Sequence, residues 1–431
     1  MRGTTQPRFC PPFFSLGISG LILLTFVLPG SCEDLSSATN ASWSQVGGDV
    51  YGAAEAYSYF GTSVSISDDG TRMAVGQPHT ECYQNPNYVC AGGVHVFELR
   101  SGSWVQMGSN IIGDAAQFDR AGTAVAISGN GMRVAVGSPQ HSPGGCTGTG
   151  CNRGAGRVSV YEWVTGYWSQ IGGHLVGDRC ETNDPDDECI WYSDNLGYSV
   201  SLSYDGKYLA VGAFTYVMVY EWKHGFIWEP HYASSGDEVK YLDAGTGRYY
   251  GRVRISGDGN RLAIAAGNWR RADGGSAQGT QARLRVFERV YNPSGTDYWV
   301  KLGADLPSVN AGWDGGRSPS TSISHDGSIV SFSGGGENFC WLKVFQYNED
   351  SSSWEQMGST CTVDMTDFFC GTTLGDLSND GLSIAVRHNW YSSMADLKYT
   401  PPTVDLRRWD PSSSSWAFVD GTRLVEPMYN T

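Results

Sequence analysis

The sequence is poor in charged residues. Of 431 residues only 17% are charged, and 44 Asp and Glu outnumber 29 Lys and Arg, which gives a formal net charge of −15. Because like charges repel, this excess argues against nucleic acid or an anionic membrane as a partner. It is compatible with a cationic ligand, although we favour the simpler interpretation that it keeps the protein soluble.

Recognisable catalytic motifs are also missing. The chain has no Gly-x-Ser-x-Gly elbow and no phosphate-binding loop, and its eight His residues form no metal-spaced motif. Paired Asp and Glu residues occur, but nothing sets two of them at a defined separation. We therefore assign no catalytic residue and no cofactor, and we lean towards a protein that is not an enzyme.

Long apolar runs are absent except near the N-terminus. Arg2 and Arg8 precede an apolar run over residues 13–28, which ends in Pro29-Gly30-Ser31-Cys32. A run shorter than the roughly 20 residues of a membrane helix, with basic residues before it and small residues after it, predicts a secretory signal peptide over 1–32. We expect a secreted, extracellular protein with no membrane span after cleavage. Residues 33–42 form a short N-terminal segment in which Asn40 is a glycosylation acceptor.

Nine cysteines remain outside Cys10 and Cys32. Their spacing predicts four local disulfides, Cys82–Cys90, Cys146–Cys151, Cys180–Cys189 and Cys361–Cys370. Cys340 could pair with Cys32, or it could displace one member of the fourth pair. Because CxxC spacing and clustered His are lacking, zinc is the weaker interpretation.

Glycine is abundant, at 57 residues, and aromatic residues reach 13%. Many glycines lie in one repeated hairpin, first seen as Gly61-Thr-Ser-Val-Ser-Ile-Ser-Asp-Asp-Gly70-Thr-Arg-Met-Ala-Val-Gly76. Alternating apolar residues such as Val64 and Ile66 predict strands with one buried face, and Asp-Gly or Asn-Gly predicts the turn. The small residues between them predict a crowded innermost strand. The six turn glycines are Gly70, Gly131, Gly206, Gly259, Gly327 and Gly381.

Two further strands follow each hairpin. The third reads like Val158-Ser-Val-Tyr-Glu162, whose Glu we interpret as an exposed cross-strand partner. The fourth reads like Trp168-Ser-Gln-Ile-Gly172, with Trp packing between neighbouring units. Four antiparallel strands per repeat predict an all-β propeller over 43–420, followed by a tail over 421–431. Six blades are favoured and seven are the alternative. The strand that contains Trp43 could complete the last blade, which would leave the strand that contains Trp416 as an additional edge strand.

Short motifs at the hairpins resemble a known family. Phe60-Gly61 with Gly76-Gln77-Pro78, and the variants Gly137-Ser138-Pro139 and Gly212-Ala213-Phe214, resemble FG-GAP repeats of integrin-α-like propellers. Ser203-Tyr-Asp-Gly-Lys-Tyr-Leu-Ala210 also resembles TolB-like and WD-repeat hairpins. The resemblance covers nearly all of 43–420 and implies a propeller fold, which hosts many functions. Here the turn is too short for the calcium loop of integrin-type blades, so the family's calcium sites are not carried over.

The insertions between strands are the candidate binding regions. Loops 77–93, 138–156 and 268–281 occupy equivalent points of their blades, so we expect them on one face. The candidate binding residues are Trp191, Tyr192, Trp269, Arg270, Arg271 and Trp313, and the aromatic rings among them could stack on sugars. The candidate metal ligands, for calcium, are Asp184, Asp186, Asp187 and Glu188. A solvated acidic loop is the simpler interpretation of the second set.

Two function classes follow. The first is a secreted, non-catalytic propeller that binds a protein or glycan ligand in cell-surface adhesion or the extracellular matrix. The second is a secreted polysaccharide hydrolase or lyase with its site at the mouth of the propeller. We favour the first, because the sequence offers no catalytic constellation.

Overall fold

The computed structural model describes residues 14–17, 23–26, 44–52, 58–79, 90–114, 119–142, 154–177, 194–214, 216–233, 242–243, 252–266, 282–293, 297–308, 319–335, 339–364, 369–370, 375–388, 390–391, 403–419 and 424–425. Every regular element within these ranges is a β-strand. No helix among the described residues is long and apolar enough to cross a membrane.

The strands form six antiparallel four-stranded units, as predicted, preceded by a hairpin of β1 (Phe14–Gly17) and β2 (Leu23–Phe26). Blade 1 contains β3 (Val64–Ile66), β4 (Arg72–Gln77), β5 (Gly93–Arg100) and β6 (Ser103–Gln106), with β7 (Ile111–Ile112) added to β5. Blade 2 contains β8 (Ala124–Ile127), β9 (Arg133–Ser138), β10 (Arg157–Val164) and β11 (Tyr167–Val176). Blade 3 contains β12 (Ser199–Leu202), β13 (Tyr208–Gly212), β14 (Tyr216–Lys223) and β15 (Ile227–Ala233), with β16 (Leu242–Asp243) added to β14.

The second half repeats this order. Blade 4 contains β17 (Arg252–Ile255), β18 (Arg261–Ala266), β19 (Arg283–Val290) and β20 (Tyr298–Lys301), with β21 (Leu306–Pro307) added to β19. Blade 5 contains β22 (Ser320–Ile323), β23 (Ile329–Gly335), β24 (Phe339–Asn348) and β25 (Ser353–Gln356), with β26 (Cys361–Asp364) added to β24. Blade 6 contains β28 (Gly375–Leu377), β29 (Ser383–His388), β31 (Thr403–Asp410) and β32 (Ser415–Phe418), with β33 (Leu424–Val425) added to β31. A separate pair is formed by β27 (Phe369–Cys370) and β30 (Trp390–Tyr391).

The repeated hairpin turn is built as its sequence predicts. The Ser67 hydroxyl donates a hydrogen bond to Asp69 Oδ1 at 2.6 Å, and the same oxygen accepts one from the Thr71 amide at 2.9 Å. Gly70 has φ of 69°, a conformation that L side chains rarely adopt. The Ser-to-Asp or Ser-to-Asn bond recurs in all six hairpins. Each carboxylate or amide is therefore occupied by its own turn, so the turn is a scaffold element.

The first strands of consecutive blades contact one another from β3 through β8, β12, β17 and β22 to β28, so they are the innermost strands. Strand β1 contacts both β3 and β28, which places the N-terminal hairpin between the first and last blades. This hairpin falls inside the predicted signal peptide, whose cleavage stays a prediction.

The hydrophobic core lies between the blades. For example, Val96 and Met107 of blade 1 pack with Val125 and Val136 of blade 2.

The fourth-strand tryptophans join neighbouring units, as predicted. Trp168 Nε1 donates to the carbonyl of Met107 in the preceding blade at 2.9 Å, and Trp416 does the same to Met357 at 3.0 Å. Trp416 belongs to a complete blade 6, so the alternative in which Trp43 completes that blade is wrong. The carbonyl of Val46 instead accepts a hydrogen bond from Trp104 at 3.1 Å, so this segment lies ahead of blade 1.

The third-strand glutamates pair across the sheet, as predicted for Glu98, Glu162 and Glu288. The guanidinium of Arg133 donates to Glu162 at 2.9 Å and also to the carbonyl of Gly206 in the next blade at 3.0 Å. Arg72, which pairs with Glu98, makes the equivalent bond to the carbonyl of Gly131 at 3.3 Å, so these two pairs fix the hairpin turn of the following blade. The predicted exposure is wrong, because Glu98, Glu162 and Glu288 are only partly exposed and Glu221 is buried.

One predicted disulfide is wrong. Cys361 carries a free thiol, so it does not pair with Cys370. The reason is topological: Cys361 lies opposite Leu342 in blade 5, whereas Cys370 lies opposite Trp390 in a separate sheet. Cys90 is disulfide-bonded. Its predicted partner Cys82, the pairs Cys146–Cys151 and Cys180–Cys189, and Asn40 lie outside the described residues.

Candidate functional site in the axial cluster

The innermost strands carry small residues at the positions that face the following blade. Ser65 Oγ accepts a hydrogen bond from the Ile127 amide of blade 2 at 3.0 Å. Ser201 and Ser322 occupy the same register in blades 3 and 5 and make the equivalent bond at 3.1 Å each. The hydroxyl fits between two backbones, so a small side chain at this position serves the scaffold.

Blades 4 and 6 break this rule. In blade 4, Arg252 and Arg254 take the register positions that Ser63 and Ser65 hold in blade 1. In blade 6, Asp376 takes the position equivalent to Ser65. A guanidinium is too large for a gap that accommodates a hydroxyl. All three side chains therefore start from innermost strands, β17 of blade 4 and β28 of blade 6. We call Arg252, Arg254 and Asp376 the axial cluster, because they replace small residues on the innermost strands.

The two arginines of the axial cluster have little to bind within the protein. The Nε atom of Arg252 is buried without a hydrogen-bond partner among the described residues. Arg254 donates to the carbonyl of Val253 at 3.2 Å. Within the described part of the chain, no carboxylate forms an ion pair with either guanidinium. Elsewhere in blade 4, by contrast, Arg285 pairs with Asp305 at 3.1 Å.

Burial changes the titration of this cluster. Burial lowers the pKa of Arg252, an effect that Tyr198 and Asp376 oppose and Arg254 reinforces. Burial raises the pKa of the Asp376 carboxyl, and the two nearby guanidinium groups act in the opposite direction. The cluster therefore holds two cationic groups beside a carboxyl that is easier to protonate than an ordinary Asp.

The turn end of the axis is lined by three larger side chains. Asp68, Tyr204 and His325 follow the turn serines of blades 1, 3 and 5. His325 Nδ1 lies 3.4 Å from Asp68 Oδ2, and the rings of Tyr204 and His325 meet edge to face with centroids 5.7 Å apart. The residue at this position is glycine in blades 2 and 4, and a Cβ on Gly257 would lie 2.1 Å from His325 Nδ1. Glycine in blades 2 and 4 thus leaves room for the larger side chains of blades 1, 3 and 5.

A second buried polar cluster, formed by Asp119, His141 and Arg157, has a structural role in the blades. The Asp119 carboxylate is fully buried and accepts hydrogen bonds from His141 Nδ1 at 2.6 Å and from Arg157. Asp194 holds the same place ahead of blade 3 and accepts one from the Tyr216 hydroxyl at 2.9 Å. Because the position recurs and its carboxylate is saturated, we assign it to blade assembly.

The residues predicted from the loops cannot be placed. Trp191, Tyr192, Trp269, Arg270, Arg271 and Trp313, and the acidic set Asp184, Asp186, Asp187 and Glu188, all lie outside the described residues. Among the residues that are described, no three His, Cys, Asp or Glu side chains are grouped to hold a metal ion. Sequence reasoning missed the axial cluster, although a signal was present: Arg and Asp replace Ser or Ala at one register position of the repeat.

No protein-family model matches the chain, and no curated protein matches it. Solved structures do. The chain is similar to the periplasmic gluconolactonase PpgL of Pseudomonas aeruginosa, with 13% identity, coverage of 96% of each chain and a TM-score of 0.51. It is also similar to a protein from Lactobacillus plantarum, with 14% identity, coverage of 95% of this chain and 94% of that one, and a TM-score of 0.51.

A functionally unknown protein from Desulfotomaculum acetoxidans is similar at 11% identity, with coverage of 89% of this chain and 94% of that one and a TM-score of 0.50. At such identities a likeness shows the fold alone. The chain is thus an all-β protein with the fold of a β-propeller, built from six four-stranded blades.

Proposed function

We propose that this chain is an exported, non-catalytic β-propeller that binds an acidic glycan at its axial cluster. The observation that carries the proposal is the pair Arg252 and Arg254, two guanidinium groups without a carboxylate partner among the described residues. Blades 1, 2, 3 and 5 carry serine or alanine at these positions. The two arginines are therefore specific to blade 4 and are not part of the repeated scaffold.

The energetics favour an anionic ligand. Leaving the Nε of Arg252 buried without a hydrogen bond is unfavourable, because the group loses water without gaining a hydrogen-bond partner. A ligand anion restores those hydrogen bonds, and guanidinium-to-anion bonds are about twice as strong as neutral ones. The net charge of −15 repels anions at long range. Salt screens that field beyond about 8 Å, whereas the contact with the two guanidiniums remains.

A glycan ligand suits the expected setting. Secretion is inferred from the N-terminal sequence, and a role in cell-surface adhesion or the extracellular matrix is part of the same proposal. The loop aromatics Trp191, Trp269 and Trp313 remain candidates for stacking on sugar faces, and they lie outside the described residues. A protein ligand with acidic side chains is the alternative partner.

A hydrolase or lyase is the second candidate. Its supporting observation is Asp376, whose raised pKa favours the protonated acid that a general acid requires. The likeness to a periplasmic gluconolactonase is compatible with this candidate but carries only the fold. The candidate requires a second catalytic group, and none is assigned among the described residues.

Binding and turnover separate the two candidates. Wild type, Arg252→Met/Arg254→Met and the control Arg285→Met are screened on a glycan array, and retained glycans are incubated with each protein in a reducing-sugar assay. We expect wild type and Arg285→Met to bind acidic glycans without releasing reducing ends, and the double variant to lose this binding. Turnover that stops in Asp376→Asn would support the enzyme instead. Equal binding by the double variant would refute the axial site.

A further inference from the structure

The free thiol of Cys361 leaves two cysteines of blades 5 and 6 for each other. Of the nine cysteines outside Cys10 and Cys32, the three local pairs that stay predicted account for six, and Cys361 is free. The remaining two are Cys340 on β24 and Cys370 on β27. We propose that Cys340 and Cys370 form a disulfide, which joins the segment ahead of blade 6 to blade 5. This bond is independent of the axial cluster and of its ligand.

Strand β27 lies against β24, and their Cα atoms approach to within 8 Å. The course of the chain places this approach near the start of β24. Asp364, the last residue of β26, lies opposite Phe339, the first residue of β24, and β27 begins a few residues later. A disulfide joins Cα atoms up to about 7 Å apart, so the two strands approach at the scale that the bond requires.

A contact between Leu342 and Gly375 shows which ends of the two blades meet. A Cβ added to Gly375 would lie 2.8 Å from Leu342 Cδ1. Ahead of Gly375 lies β27, which pairs with β30 just beyond the end of β29, where the loop between the second and third strands of blade 6 begins. Strand β24 follows the equivalent loop of blade 5. Cys340 and Cys370 therefore lie on the same side of the Leu342–Gly375 contact.

Strand alternation places Cys340 on the face of β24 that is turned towards blade 6. Leu342 packs in one cluster with Leu377 of blade 6, so its own face of β24 is turned that way. Residues two apart on a strand share a face, which gives Cys340 the same face. Cys361 lies opposite Leu342 and packs against the same cluster, but further from the loop end. This position explains why Cys361 is free although it is nearer to Cys370 in the sequence.

Formation of the bond needs an oxidant, because the two thiols together lose two protons and two electrons. A disulfide-bearing oxidoreductase of the export pathway supplies it and is reduced to the dithiol. In the first exchange one cysteine thiolate attacks the donor disulfide and forms a mixed disulfide. In the second exchange the other thiolate attacks this mixed disulfide and releases the donor. The inference thus rests on export, which is one part of the proposed function.

The test is peptide mapping of the full chain produced in a secreting host. Free thiols are blocked with N-ethylmaleimide in denaturant without reduction. Trypsin then cuts after Lys343 and an aspartate-specific protease cuts before Asp367, so the three cysteines fall on three peptides. We expect the peptides of Cys340 and Cys370 to be linked and Cys361 to carry maleimide. Maleimide on both Cys340 and Cys370, or a link from either to another cysteine, would overturn the inference.

Failure of the proposed export gives a different result. A chain that the host retains would contradict export, and the same mapping is then made on the purified reduced chain after oxidation by glutathione disulfide. The linked peptides would support the disulfide in that case as well, and their absence would overturn it. Neither outcome involves a glycan, so both are separate from the ligand binding proposed for the axial cluster.

Melting curves show whether the bond contributes to stability. Cys340→Ser and Cys370→Ser should each melt several degrees below wild type, and the double variant should melt no lower than either, because all three lack the same bond. The control Cys361→Ser should melt close to wild type. In dithiothreitol the difference between wild type and the double variant should disappear. Additive losses in the double variant, unchanged by dithiothreitol, would show that the two residues are not bonded.

Discussion

His325 Nδ1 of blade 5 lies 3.4 Å from Asp68 Oδ2 of blade 1, so the two residues connect blades that are not neighbours in the chain, at the turn end of the axis. Hydrogen bonding to Asp68 raises the pKa of His325, although burial acts in the opposite direction. The ion pair holds the axis closed where Gly129 and Gly257 leave room for larger side chains.

This pair predicts a pH dependence of stability. Because the pKa of His325 is raised in the folded state, its contribution is fully present below the ordinary value of 6.5 and is lost as pH rises through the folded pKa. The side chain is partly exposed, so the contribution should stay below about 1 kcal/mol. His325→Asn, which introduces the residue of blade 6, should lower the melting temperature at pH 5.5 but not at pH 8.5. An equal effect at both pH values would show that the pair contributes no charge interaction.

Glu221 predicts the opposite dependence. Its carboxylate accepts hydrogen bonds from Lys207, His231 and Lys223, which outweigh desolvation and lower its pKa from 4.5 to about 2. A depressed pKa gives stability that is present above pH 4.5 and lost as pH falls through about 2. Glu221→Gln should therefore destabilise the protein by up to roughly 3 kcal/mol at pH 7 in urea unfolding.

The matched control for Glu221 is Glu162→Gln. Glu162 stands at the equivalent position of blade 2, is 37% exposed and pairs with Arg133. A pair whose carboxylate is partly exposed contributes less than a buried network, about 1 kcal/mol or below, so this variant should lose much less stability than Glu221→Gln. Equal losses in the two variants would contradict the special role of the buried Glu221 network.

The fourth-strand tryptophans should stabilise contacts between blades through their indole N–H groups. Trp168 donates to Met107 of blade 1, whereas its ring neighbour Trp163, with a centroid 5.2 Å away, makes no such bond to the described residues. Trp168→Phe should cost about 1 kcal/mol more than Trp163→Phe, since both lose similar area but only the first loses a hydrogen bond. Urea unfolding measures both values, and equal costs would argue against the inter-blade bond.

Burial between blades predicts cooperative unfolding. Val136 is 2% exposed and packs between blades 1 and 2, so Val136→Asp should place a carboxylate in that core and destabilise the domain by more than about 3 kcal/mol. The control Val105→Asp, at a position 41% exposed, should leave the melting temperature nearly unchanged. If Val136→Asp melted like wild type, the placement of β9 in the inter-blade core would be wrong.

The repeat made the fold predictable, because turn chemistry and period-two burial are local properties. Ser, Asp and Gly at fixed spacing specify a hairpin wherever they occur, and Trp168 and its equivalents mark the outer edge. The positions of the N-terminal segment and of Cys361 depend on which sheets become neighbours. Which sheets become neighbours depends on contacts between residues far apart in the sequence, so the spacing of nearby residues does not predict it.

The candidate site was harder to predict for a related reason. Arg252 and Asp376 are separated by more than a hundred residues, and each alone resembles an ordinary polar residue on a strand. They become a pair only when blades 4 and 6 face the same axis. Comparing the repeats position by position, instead of searching the loops, would have singled out both residues.

The central claim is that the axial cluster holds the acidic group of the ligand. A crystal structure of the full chain with trigalacturonate tests it most directly. We predict a ligand carboxylate within about 3 Å of the guanidinium nitrogens of Arg252 or Arg254, with a second oxygen facing Asp376. A ligand bound elsewhere, with both guanidinium groups unchanged or paired with carboxylates of the protein itself, would contradict the account.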